Sequence, residues 1–228
     1  METITKDYKP AKPAKALLIG HDPTLQNSET QANVTLFADY YFKYKDEEPK
    51  RWNEKKKFNL AKNSFDQIAY ITLGKIKDDE IYITNLCNTI LYKDKSDGGK
   101  TVRIPESKAI DGVERIREIL KNNPTIKYVF PMSLQVNYWL QELGLYNSND
   151  NFLNDTRPIK NGDDIHVFQP RKGKTFLSIC GKQYNIDGCG EQIVIPILHT
   201  KQFPLNKKTM SYYDCYQSIR SYFESIEI

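Results

Sequence analysis

Four short apolar runs, separated by stretches with helical periodicity, predict an α/β fold. The expected architecture is a three-layer α/β/α sandwich around a mainly parallel four-stranded central sheet, made by a single domain spanning residues 1–228. The runs are Ala16–Ile19, Glu80–Thr84 (EIYIT), Ile126–Phe130 (IKYVF) and Ile193–Leu198 (IVIPIL). Continuous apolar runs of this length, bounded by Gly and Pro, suit strands buried on both faces, as a parallel core requires. At the end of the first run, Gly20 opens into His21-Asp22-Pro23-Thr24, a polar loop whose proline fixes φ near −65°.

The helical stretches follow in order. Ser28-Glu29-Thr30-Gln31 reads as a capping box, and Leu36, Phe37, Tyr40, Tyr41 and Tyr44 recur at helical spacing after it. Asn59–Leu73 carries Leu60, Phe65, Ile68 and Ala69, with Gly74 as the stop. Pro105 and Ser107 introduce a helix through Leu120, with Ile110, Val113, Ile116, Ile119 and Leu120 on its apolar face. Ser133 caps a helix through Leu143 that ends at Gly144, and a last amphipathic helix runs from about Tyr212. Asn147–Lys174 is rich in Gly, Asn and Asp, and reads as loops with one or two short extra strands.

Composition narrows the function classes. With 39% hydrophobic and 12% aromatic residues, the chain has the apolar content of a globular protein rather than a disordered one. Its 33 Lys and Arg against 29 Asp and Glu leave a net charge of +4, which permits a nucleic-acid partner without demanding one. No apolar stretch approaches the roughly 20 residues that a membrane span needs. The first 14 residues lack an apolar signal core and read as a flexible, basic lead-in. Cys87, Cys180, Cys189 and Cys215 contain no C-x-x-C pair, which argues against a zinc or iron–sulfur site and for free thiols in a cytoplasmic protein, and the chain is expected to be a monomer without a cofactor.

In a parallel sheet the loops that leave the strands' carboxyl ends share one edge, where ligands gather. Three of the four expected loops carry reactive or hydrogen-bonding groups: Gly20-His21-Asp22-Pro23, Asn85-Leu86-Cys87-Asn88 and His199-Thr200-Lys201-Gln202-Phe203. This ordered trio resembles the uracil-DNA glycosylase superfamily. Members carry a G-x-D-P-type or G-x-N-P-type loop after the first strand, an Asn at the end of the second and an H-P-S-type loop after the last. Thr200-Lys201 stands where the family has Pro-Ser, and Thr24 where the classical enzymes have Tyr.

The resemblance implies a hydrolase that removes uracil or a related damaged base from DNA by N-glycosidic cleavage, without metal. Asp22 would stabilise the oxocarbenium ion and position water, and His199 would hydrogen-bond the departing base. Asn85 would read the Watson–Crick edge, with Asn88 as its fallback. Phe37 would stack on the base, and Gly20 and His21 would complete the base pocket. Ser28, Thr200 and Lys201 would contact DNA phosphates, and Phe203 would fill the gap that a flipped base leaves.

Each residue also has a plainer reading. Asp22 can cap its own turn, His199 can be a structural donor, and Asn85 can satisfy loop backbone. Phe37 and Phe203 can be ordinary packing aromatics. The tract Lys50-Arg51 and Lys55-Lys56-Lys57, with Trp52 and Phe58 interleaved, can be a nucleic-acid surface or a solvated helix face. His21 and His166 have no role assigned in the reaction. The alternative function is a non-catalytic nucleic-acid or small-ligand binding protein on the same fold.

Overall fold

A computed structural model describes residues 5–21, 34–89, 91, 104–148, 151–161, 165–170, 175–186, 188, 191–206 and 209–228. Its centre is a five-stranded mixed sheet in the order β2-β1-β3-β7-β6. The strands are β1 (Ala16–Gly20), β2 (Ile81–Asn85), β3 (Tyr128–Pro131), β7 (Ile193–Val194) and β6 (Tyr184–Asn185). β1, β2, β3 and β7 are parallel and correspond to the four apolar runs. The sheet is one strand larger than the four expected, because β6 adds antiparallel to β7. Two residues, one of them asparagine, leave too little periodicity to signal such a strand. A separate antiparallel pair, β4 (Thr156–Asn161) and β5 (Ile165–Pro170), occupies the stretch read as loops with extra strands.

Strand β7 is short because Pro196 interrupts it, yet its alignment with β3 continues. Ile193, Ile195 and Ile197 donate in turn to the carbonyls of Lys127, Val129 and Pro131, at 2.8, 2.8 and 3.0 Å. In this alternating ladder residue 196 turns its nitrogen away from β3, so the missing N–H costs no bond on that side.

Among the described residues six α-helices accompany the sheet: α1 (Ala38–Tyr44), α2 (Trp52–Ile71), α3 (Glu106–Asn122), α4 (Leu134–Glu142), the single turn α5 (Phe152–Asp155) and α6 (Tyr213–Ser225). None is long and apolar enough to cross a membrane. α1, α2 and α6 pack together. Tyr41 stacks on Phe65 at 4.2 Å, and Arg220 donates to the Tyr70 carbonyl at 2.6 Å. α6 reaches the sheet through Phe223, 4.9 Å from the Tyr128 ring. α3 and α4 meet separately, where Arg117 donates to the carbonyls of Leu143 and Gly144.

Several boundaries differ from the sequence expectations for physical reasons. Leu36 (φ 52°) and Phe37 (φ 55°) are left-handed, so the tyrosine-rich helix starts only at Ala38. α2 begins seven residues before Asn59, because its first turns carry Lys and Glu, which favour helix without marking an apolar face. In α3 the apolar face is rotated. Ile110 is 40% exposed, while Ala109 and Gly112 are buried. Ser133 sits at the N-cap of α4 but makes no capping bond. The capping box at Ser28–Gln31 lies outside the described residues. The lead-in, expected to be flexible, is hydrogen-bonded from Thr5 onward. Tyr8 and Ile83 exchange backbone bonds of 2.9 and 3.0 Å, and Thr5 N–H donates to Asn88 O at 2.8 Å.

Gly112 shows how tightly α3 sits on the sheet edge. A Cβ at this position would lie 2.0 Å from the Leu86 carbonyl oxygen. Helix propensity alone would make Gly112→Ala stabilising by about 1 kcal/mol, whereas overpacking against backbone costs about 1–3 kcal/mol. The clash is with an atom that cannot rotate away, so urea denaturation of Gly112→Ala is expected to show a lower midpoint. A raised midpoint would mean that α3 does not approach the Leu86 carbonyl this closely.

Candidate functional site

The parallel register brings the ends of β1 and β2 level, with Gly20 opposite Asn85. Leu86 N–H donates to Gly20 O at 2.8 Å and Cys87 N–H to His21 O at 3.1 Å, so the pairing continues into both loops. On the other side of β1, Met132 N–H donates to Ile19 O at 2.9 Å, and Met132 bridges to Ile197 two residues before His199. The ends of β2, β1, β3 and β7 therefore form one continuous edge. Neighbouring strands lie roughly 4.8 Å apart, so the backbones of Asn85 and His199 bracket about 14 Å of it. The strand order reverses between β1 and β3, the kind of point where α/β sheets bind ligands.

Asn85 is 1% exposed, and among the described residues neither its Oδ1 nor its Nδ2 has a hydrogen-bond partner. Buried polar groups are nearly always paired, and each one left unpaired costs about 1–3 kcal/mol. The amide lies against Gly20: a Cβ there would come within 2.3 Å of the Asn85 Oδ1. Only glycine at position 20 leaves room for that amide. Ser133, just beyond β3, shows a related pattern. It is held at φ 78° and ψ 161°, a region populated almost only by glycine, and its buried Oγ has no partner among the described residues.

His199 caps the short turn Thr200–Gln202, its Nδ1 accepting from Lys201 N–H at 3.1 Å. With Nδ1 an acceptor, the neutral imidazole carries its proton on Nε2 and can donate there. The backbone just before His199 is fixed by Gln67 of α2, whose Nε2 donates to Leu198 O at 2.8 Å and to the Tyr216 hydroxyl. Tyr216 is fully buried, and burial pushes its phenol far above the ordinary range.

The other residues singled out in the sequence are placed as follows. Thr200 is fully buried with its Oγ1 unpartnered, while Lys201 is exposed. Phe203 is half-buried in the seam between α2 and α6, with its ring 5.6 Å from Tyr70 and 6.5 Å from Tyr216. Phe37 packs edge-on against Tyr40, and the Lys57 ammonium sits over both rings. In the basic tract Trp52 is 71% exposed with Lys56 over its ring at 5.1 Å. Asp22 and Ser28 lie outside the described residues, as do the side chain of His166 and the whole of Cys189. Among the described residues no three His, Cys, Asp or Glu side chains group as metal ligands do.

Two residues that hold this edge carry no signal in the sequence. The Arg115 guanidinium of α3 donates to the Asn85 carbonyl at 2.6 Å, to the Leu86 carbonyl at 3.4 Å and to Thr84 Oγ1 at 2.6 Å. It also pairs with Asp7 of the lead-in at 3.3 Å, and Asp7 accepts from Thr84 and from Asn88 Nδ2 at 2.6 and 3.0 Å. Asp7 and the pull of burial raise the Tyr82 phenol to about 12, burial being the larger cause. An open cavity of about 280 Å³ adjoins this node, lined by Leu86, Cys87, Asn88, Lys108, Gly112 and Arg115. A scan against protein-family models finds no match for this chain, and a search of curated proteins finds none either.

Proposed function

We propose that the chain is a DNA glycosylase-like hydrolase that recognises uracil or a related damaged base at the carboxyl edge of its sheet. The observation that carries this reading is the buried amide of Asn85, whose donor and acceptor are both unpaired among the described residues and which lies against Gly20, where there is no side chain. A base edge that presents both an N–H and a carbonyl satisfies both atoms at once, which matches the imide edge of uracil. The missing side chain at Gly20 is what lets the Asn85 amide lie against the backbone.

In this reading the C1′–N1 bond breaks with its electron pair leaving on the base. His199 donates from Nε2 to the base carbonyl oxygen where negative charge develops, and Asp22 faces the oxocarbenium ion and the water that adds to C1′, whose released proton ends on the departed base. Lys201 contacts a phosphate, and Phe37 offers a ring for stacking. The proposed frame is the three-layer sandwich: right-handed crossovers put α1 and α2 on one face of the sheet and α3 and α4 on the other.

The test is a cleavage screen on labelled oligonucleotides carrying uracil, hypoxanthine, xanthine or mismatched thymine, with alkali to break abasic sites. Uracil is expected to be released, and Asp22→Asn and Asn85→Ala are each expected to lower the rate by about 10²-fold or more. Duplex affinity without cleavage on every base would favour the non-catalytic binding protein. Absence of both would remove the nucleic-acid reading.

Stability and activity are expected to part at Asn85. An amide that serves only the fold would, when truncated, lower the melting temperature. Here both amide atoms are unpaired, so Asn85→Ala relieves a penalty of about 1–3 kcal/mol per group, set against a small cavity. Its melting temperature is expected to equal or exceed that of the wild type while activity falls. A large drop in melting temperature would assign Asn85 to the fold alone.

If DNA is the partner, binding weakens as salt rises because contacts with phosphates release counterions. Lys201→Ala is expected to flatten the slope of log affinity against log salt by about one unit, for matched and damaged duplexes alike. An unchanged slope would remove Lys201 from the phosphate contacts.

A further inference from the structure

Away from the sheet edge, two thiols meet. Cys180 closes the short turn after Phe176–Ser178, with its N–H donating to Phe176 O at 3.0 Å. Gly181 follows at φ 78°, anchored through its N–H to Pro196 O at 2.9 Å. Its α-carbon faces α6 so closely that a Cβ would lie 2.6 Å from the Cys215 carbonyl oxygen and 3.0 Å from the Cys215 Cβ. That approach brings the turn that carries Cys180 against Cys215, and each thiol shifts the other's titration. Cys180 is 2% exposed, whereas Cys215, the third residue of α6, is only half-buried.

The pair is chemically asymmetric. The neighbouring Cys180 favours the Cys215 thiolate and brings that thiol down to about 7, with Lys182 and the backbone N–H at the start of α6 acting in the same direction. Burial and Asp214 oppose it. Cys180 is held well above the ordinary thiol range by its neighbour Cys215 and by burial. A partly exposed thiolate at a helix N-terminus beside a second sulfur has the setting of a reactive cysteine.

We propose that Cys215 and Cys180 form a peroxide-sensitive dithiol, in which Cys215 is oxidised first and Cys180 resolves it to a disulfide between α6 and the turn after Phe176–Ser178. In the first step the Cys215 thiolate attacks one oxygen of a hydroperoxide. An S–O bond forms, the O–O bond breaks, and the displaced alkoxide or hydroxide takes up the proton released by the thiol. Sulfur is oxidised by two electrons to the sulfenic acid and the peroxide is reduced. In the second step the Cys180 sulfur attacks the Cys215 sulfur. The S–S bond forms as the S–O bond breaks, and the departing hydroxide leaves as water with the Cys180 proton. Two thiols and one hydroperoxide thus give one disulfide, one alcohol or water, and one water.

The experiment exposes the full native chain to near-stoichiometric hydrogen peroxide, blocks remaining thiols with iodoacetamide, and maps peptides by mass spectrometry. The expected product is a Cys180–Cys215 cross-linked peptide that dithiothreitol reverses. The oxidised protein is expected to melt higher by something on the order of 10 °C, since the bond closes a long loop. In Cys180→Ser the resolving sulfur is gone, and dimedone is expected to label Cys215. If that variant fails to fold, the wild-type map and a Cys215→Ala variant, which must lose the cross-link, still decide the matter. Preferential oxidation of Cys87 or Cys189 in the folded protein, or absence of the Cys180–Cys215 peptide, would overturn the proposal.

Discussion

The end of β2 depends on one guanidinium. Arg115 reaches from α3 to two consecutive backbone carbonyls, Asn85 and Leu86, to the Thr84 hydroxyl and to the Asp7 carboxylate. Carbonyls at a strand end would otherwise need water or another strand, and a charged donor satisfies them with bonds roughly twice as strong as neutral ones. Asp7 keeps the guanidinium from being a buried charge without a partner and draws the lead-in along β2. Gly112, one turn earlier on α3, allows the close approach that puts Arg115 within reach. Lead-in, sheet edge and helix are thus fastened at one point, and Asn85 is presented from it.

What this rigidity holds in place is unsatisfied. After β3 the polar groups are closed into a network. Asn137 donates to the carbonyls of Pro131 and Ser133, and the Tyr146 hydroxyl donates to Asn137 Oδ1 at 2.7 Å and accepts from Gln141 at 3.1 Å. Burial drives the Tyr146 phenol well above its ordinary range, so it stays a neutral donor. Beside that network, the amide of Asn85 and the hydroxyls of Ser133 and Thr200 are unpaired among the described residues at the carboxyl edge. Folding gains nothing from such groups, and a preorganised edge that is completed by a ligand is the arrangement that uses them.

The His199 loop is secured from the opposite direction. Gln67 links Leu198 O to the Tyr216 hydroxyl, so α2, α6 and the turn that presents His199 share one buried contact. Cys215 precedes Tyr216 on α6. A covalent tie between Cys215 and Cys180 would therefore stiffen the same helix that steadies the imidazole, which places a redox-sensitive pair one residue from the anchor of a candidate site.

Sequence alone determined the α/β class and the four parallel strands, because buried strands write themselves as unbroken apolar runs and their parallel pairing follows from alternation with helices. It also singled out Gly20, Asn85 and His199, since each ends such a run. It did not reveal the antiparallel β6, the early start of α2 or the left-handed turn at Leu36 and Phe37, because two-residue strands and solvent-facing helix turns leave no periodicity. Tertiary structure decided the rest. That Asn85 lies against Gly20, that Asp7 and Arg115 meet across more than a hundred residues, and that the turn at Cys180 and Gly181 lies against Cys215 are consequences of register and packing. Contacts between residues far apart in the chain arise only once the sheet is assembled, and no local pattern of side chains encodes them.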